Sequence, residues 1–160
     1  MQLTNISEYE KQLCNIFAIH CVKTNLEEYE RRNQYEAKII KDIAQGKAAE
    51  IMVHKALKTS YPDFFIYPKQ KKSFEADLYL NEKKIHVKSC KLNGYCPSWV
   101  FQPNDPLTID PDENDYLALV VLCNEPYMYF IPAIGVEYHP PRKKTLNKKC
   151  IYQWSITLKT

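Results

Sequence analysis

The stretch "FEADLYLNEKKIHVKSCK", residues 74–91, decides how this chain is read. Two short runs of alternating apolar residues flank the polar pair Asn81-Glu82, the signature of a β-hairpin. The strands carry Glu75, Asp77, His86 and Lys88 where a surface hairpin would do as well with Thr or Val. Residues two apart on a strand share a face, so Glu75 projects with Asp77, and His86 with Lys88. Whether the turn centres on Asn81-Glu82 or Glu82-Lys83, Asp77 falls across from His86 or Lys88. All four polar groups then converge on one face, and Ala76, Leu78, Leu80, Ile85 or Val87 take the other. Such groups on a buried face are costly unless they are paired or hold a metal. The hairpin is therefore the first candidate for a site.

Upstream of it the period is helical. "EYEKQLCNIFAIHCV" sets Tyr9, Leu13, Ile16, Phe17 and His20 at three- and four-residue steps, which predicts an apolar stripe turned to the core. Asn5 or Ser7 serves as its N-cap. A second helix is predicted after Asn25 with a polar front half that carries Arg31 and Arg32. Gly46 interrupts the pattern, and "KAAEIMVHKALKTS" resumes it with Ala49, Val53, Ala56 and Leu57 as the buried stripe. Glu50 lies at the edge of that stripe, four residues before His54 and on the same side. Downstream the period becomes two. Strands are predicted at 63–68, across the hairpin, at 98–102, at 116–123 as an apolar central strand, at 127–133, and near the C-terminus. The expected fold is α+β (α/β/α-like): N-terminal helices, then a mixed central sheet of about five strands, with helices on one or both faces.

Bulk composition fits one domain over 1–160. The chain has 45% hydrophobic and 26% charged residues, which is globular composition. No apolar run reaches the ~18 residues of a membrane span, and no signal peptide stands out, so the expectation is cytoplasmic. Six cysteines form no CxxC pair and read as plain thiols. A net charge of +3 does not by itself announce a nucleic-acid partner. The distribution says more: "PRKKTLNKK" (141–149) holds five cations and no acid, whereas "DPLTIDPDENDY" (105–116) is acidic. Trp99 and Trp154 read as core, and His20 as a satisfied core histidine.

A carboxylate beside a lysine is what metal-assisted phosphodiester cleavage requires. The carboxylate holds a divalent cation that acidifies water, and the ammonium group offsets phosphate charge. At this point the residues resemble a family. Asp77 followed by His86-Val87-Lys88 resembles the PD-(D/E)XK nuclease signature, and "GKAAEIMVHKALKTSY" (46–61) resembles the helix that precedes its hairpin. The resemblance spans about residues 46–121. It implies a restriction-endonuclease-like core over 46–135, after helices in 1–45 and before a basic loop and C-terminal strand in 136–160.

The resemblance implies a metal-dependent DNA endonuclease, similar to a small type II restriction enzyme. Alternatives are a four-way-junction resolvase and a non-catalytic DNA-binding domain on the same fold. Asp77 takes the central metal-ligand role, with His86, the Val87 carbonyl and Glu50 completing the set. Lys88 positions or activates water, and Glu50 tunes Lys88 or reaches metal through water. Lys91 and Gln102 are phosphate contacts, and Arg31, Arg32, Arg142, Lys143 and Lys144 are DNA-binding candidates. The acidic 105–116 segment is expected to stay clear of DNA. The implied cofactor is Mg²⁺, the partner double-stranded DNA, and a homodimer through the N-terminal helices is one arrangement. Ala76 stands where the motif has Pro. His86 stands where it has an acid, and imidazole suits Mn²⁺ better than Mg²⁺. Against all this stands a bland reading: Asp77 and Lys88 as a cross-strand ion pair worth ~0.5 kcal/mol.

Overall fold

The structure, a computed structural model, describes residues 1–24, 36–64, 66–68, 75–92, 97–101, 105–139, 144–146, 149–151 and 154–158. Helix α1 (Glu8–Thr24) opens with a capping box. Ser7 Oγ accepts from the Glu10 N–H and Glu10 Oε1 accepts from the Ser7 N–H, both at 3.1 Å. The pair satisfies two donors that a helix start otherwise leaves open. Glu10 also reaches Lys55 of helix α2 (Glu36–Ser60) at 2.6 Å, pinning the two helices together.

Gly46 does not interrupt α2, which runs through it as one 25-residue helix. Tertiary packing on both sides overrides the weak local propensity. A Cβ at position 46 would meet nothing within 4 Å. Gly46→Ala is therefore expected to stabilise the protein by about 1 kcal/mol, measured by urea unfolding.

The apolar stripe expected on α1 is on the wrong side. Tyr9, Ile16 and Phe17 are 69%, 63% and 42% exposed, and Leu13 and His20 are exposed too. The buried positions are Cys14, Ala18 and Val22. Small residues let α1 lie close against α2, and close approach outweighs the larger transfer gain of the bulky side chains. His20 is thus no core histidine.

A five-stranded sheet follows, ordered β1 (Ile66–Pro68), β2 (Leu78–Leu80), β3 (Lys83–Lys91), β5 (Asp115–Leu122), β6 (Tyr127–Pro132). Among the described residues, only β3 and β5 pair in parallel, with His86 beside Leu117 and Lys88 beside Leu119. The β2–β3 turn is Asn81-Glu82, with Asn81 at φ 54°, a left-handed position that Asn tolerates. The class is α+β, with a mixed sheet of five strands as expected.

The two sheet faces are covered differently. On one, Ala49, Met52, Val53 and Leu57 of α2 pack on Leu78, Leu80, Ile85, Ala118 and Val120. On the other, Leu117, Leu119 and Val121 pack on Trp99, Phe101, Leu107, Ala133 and Val136. Among the described residues that second cover is not a helical layer. It consists of a three-stranded sheet, β4 (Val100–Phe101), β10 (Trp154–Leu158) and β7 (Val136–His139), with the one-turn helix α3 (Pro106–Ile109). The predicted 98–102 and C-terminal strands therefore belong to this small sheet rather than the central one. Strand β4 pairs antiparallel with β10, Trp154 against Phe101 and Ser155 against Val100. A separate hairpin pairs β8 (Lys144–Leu146) with β9 (Lys149–Ile151). Trp99 is core, its indole N–H donating to the Val120 carbonyl at 3.0 Å.

Candidate functional site

Asp77 sits one residue ahead of β2 and is 6% exposed. Its backbone N–H donates to the Ile85 carbonyl at 2.9 Å, although Ile85 is already the register partner of Leu78. The regular ladder ends there. Beyond that point the Asp77 carboxylate takes over, Oδ2 accepting the Val87 N–H at 2.7 Å. Asp77 is thus tied to the residues on both sides of His86. A buried carboxylate that accepts from a backbone donor is held in position.

Strand parity places the rest. Ile85 and Val87 join the α2-facing cluster. His86 and Lys88 therefore face the opposite layer, beside Leu117 and Leu119. His86 is 9% exposed, and its Nε2 lies 2.9 Å from Asp115 Oδ1. Lys88 Nζ stands 5.1 Å over the Phe101 ring and 3.8 Å from Asp105 Oδ2. The apolar face expected of the hairpin is observed at Leu78, Leu80, Ile85 and Val87.

Glu50 departs from the expected convergence. It projects from α2, on the Ile85 side of the sheet, and its carboxylate holds Lys47 at 2.8 Å. Lys88 approaches from the other side, and the carboxylate it meets is that of Asp105 rather than Glu50. The alternation of β3 separates the two: Val87 must enter the α2 cluster, so its neighbour Lys88 cannot. Lys91 is exposed and lines a cavity of about 500 Å³ with Lys38, Lys41, Asp42 and Gln45, where Asp42 holds Lys38 at 3.2 Å. Lys144 lies on β8. Arg31, Arg32, Gln102, Arg142 and Lys143 lie outside the described residues.

Two aspartates that sequence reading set aside are part of this face. Asp105 caps α3, with Oδ1 accepting the Leu107 N–H at 3.0 Å, while Oδ2 faces Lys88. Asp115 opens β5; Oδ2 accepts the Asp112 N–H at 2.9 Å, and Oδ1 takes His86 and lies 3.5 Å from Lys84 Nζ. The hydrogen bond that Lys84 donates to Asp112 raises the Lys84 pKa above its ordinary value, with the charge of Asp115 adding to the effect. Burial pushes the Tyr138 hydroxyl well above the ordinary phenol range, with the charges of Asp105 and Asp115 contributing. That ring meets Phe101 edge-on at 5.2 Å. The Asp105-Pro106 pair was a legible helix start. Nothing in the sequence signalled Asp115, because its place beside Lys84 depends on strand order.

The face can carry charge of both signs at short range. Among the described residues, no three His, Cys, Asp or Glu side chains gather closely enough to hold a metal unaided. Mg²⁺ and Mn²⁺ sites on nucleic-acid enzymes need no such cage, since one or two protein ligands plus water and phosphate oxygens suffice. Asp77 beside His86 fits that donor count. No family model matches the chain, and no curated protein matches it.

Proposed function

We propose that the chain is a divalent-metal-dependent endodeoxyribonuclease, cutting double-stranded DNA in the manner of a small type II restriction enzyme. The observation that carries this reading is the hold of Asp77 on β3. Its carboxylate accepts the Val87 N–H and its N–H reaches Ile85, so it is fixed beside the His86-Val87-Lys88 triplet. Asp77 and His86 would hold Mg²⁺ or Mn²⁺, with the Val87 carbonyl as a further oxygen donor. Such a cation, when bound, polarises the scissile phosphate and acidifies water. Lys88 offers its ammonium to the phosphate charge, a role that Asp105 and the Phe101 ring keep poised by limiting where Nζ can go. Lys91 and Lys41, beside the Lys38–Asp42 ion pair, offer cations to the DNA backbone.

Incubation with plasmid in Mg²⁺, and separately in Mn²⁺, tests the proposal. Discrete fragments support the restriction-type reading, and cutting of cruciforms alone supports a junction resolvase. Intact DNA in both metals removes the activity. The engagement of both His86 and Lys88 by aspartates favours a second reading, a DNA-binding domain without chemistry, and that last outcome would select it.

Among the described residues no helix is long and apolar enough to cross a membrane. The cytoplasm is the compartment where such an enzyme meets DNA. A homodimer would match a palindromic site, and the exposed Tyr9, Leu13, Ile16 and Phe17 on α1 are the surface it would use. Ile16→Glu is expected to convert dimer to monomer in light scattering while moving stability by less than about 0.5 kcal/mol, the usual range for an exposed site. An unchanged dimer would place the contact elsewhere.

A further inference from the structure

His86 is the residue at which this chain departs from an all-carboxylate cation site, and the structure gives it an unusual companion. Asp115 enters from the start of β5, on the parallel neighbour of β3, and places Oδ1 2.9 Å from His86 Nε2. Both side chains are nearly buried, at 11% and 12% exposure. An ionised carboxylate can only accept a hydrogen bond, so Nε2 must carry the proton. Nδ1 is then the ring nitrogen with a lone pair.

Asp115 is itself held firmly. The Asp112 N–H donates to its Oδ2, and Lys84 stands 3.5 Å from its Oδ1. These contacts fix the direction of its carboxylate. Asp115 is thus a rigid acceptor built to orient one imidazole, and not a loose surface acid.

Resting on the nuclease reading, we infer that Asp115 is a positioning residue for the divalent cation. By accepting the Nε2–H it sets the His86 tautomer that donates through Nδ1, and its charge makes up for the negative charge that imidazole lacks. A carboxylate behind a metal-binding histidine has this effect in general: it fixes the ring and raises its basicity. The exchange of an acid for His at position 86 is then no loss of the site. The missing charge has moved one layer back, onto β5.

The test uses the full chain with Mn²⁺ alone and no DNA, followed by electron paramagnetic resonance and calorimetry. Asp115→Asn is expected to weaken Mn²⁺ binding by about 10- to 100-fold, the usual cost of losing such a partner, with the circular dichroism spectrum unchanged. The same substitution in a His86→Glu background is expected to cost little, because a carboxylate at 86 needs no orienting acceptor. Nitrogen-15 spectra of the unsubstituted protein should show His86 protonated at Nε2.

Equal Mn²⁺ affinity in Asp115→Asn and the unsubstituted protein overturns the inference while leaving the nuclease reading intact. So does an equal loss in both backgrounds, which is what a purely structural role would give. Should Asp115→Asn fail to fold, the tautomer decides, and protonation at Nδ1 overturns it. Absence of Mn²⁺ binding in the unsubstituted protein, or binding unaffected by Asp77→Ala, sinks the cation site and this inference with it.

Discussion

Asp77→Ala is expected to reduce DNA cleavage by at least about 10²- to 10³-fold, the scale on which a single charge-stabilising group acts at a reacting centre. DNA binding should stay within a few-fold. The substitution removes the carboxylate proposed to hold the cation and also strips the Val87 N–H of its acceptor. Leaving that half-buried donor unpaired costs on the order of 1 kcal/mol of stability. The two effects are separable. Asp77→Asn keeps an oxygen that can accept the Val87 N–H but loses the charge, so stability should largely return while cleavage stays lost. Plasmid assays with urea denaturation of both variants check this. Cleavage restored in Asp77→Asn would show that the residue is a hinge of the hairpin and nothing more.

Lys88→Met should likewise abolish cleavage, by about 10²-fold or more, with DNA affinity nearly unchanged because one cation among many phosphate contacts is removed. Methionine is the informative replacement. It keeps a flexible unbranched stem of similar reach toward the Phe101 ring, over which Lys88 Nζ stands at 5.1 Å, so loss of packing is small. It also leaves Asp105, whose side chain is 8% exposed, without the ammonium 3.8 Å away. The Leu107 N–H still donates to Asp105, which limits the structural damage to the α3 cap. Thermal unfolding should therefore shift modestly while activity collapses. A variant that cuts normally would remove Lys88 from the mechanism and restore the bland reading of a charged strand. Even then its ion-pair partner would be Asp105, since Asp77 is engaged at Val87.

The legibility of this chain varied by element. Strand β5 and the hairpin were readable because the apolar run that follows Asp115 and a two-residue turn are local signals. The buried stripe of α2 was readable too, as Ala49, Val53 and Leu57 carry both the helical period and the burial. Helix α1 misled because two stripes compete on it. The bulkier one looks like the core, yet the close approach of α2 selects the small residues. The site was half legible. Asp77, His86 and Lys88 announced themselves by spacing, whereas Asp105 and Asp115 read as an acidic surface segment.

Sequence alone determined the class of this protein, its hairpin, and the alternation that sends Ile85 and Val87 one way and His86 and Lys88 the other, because periods of 2 and 3.6 are properties of the local backbone. Tertiary structure decided which layer meets each face. The parallel pairing of β3 with β5 brings Asp115 to His86, the one-turn helix brings Asp105 to Lys88, and α2 takes Glu50 to the far side. Strand order is set by how distant apolar surfaces share one core, and no local spacing encodes that.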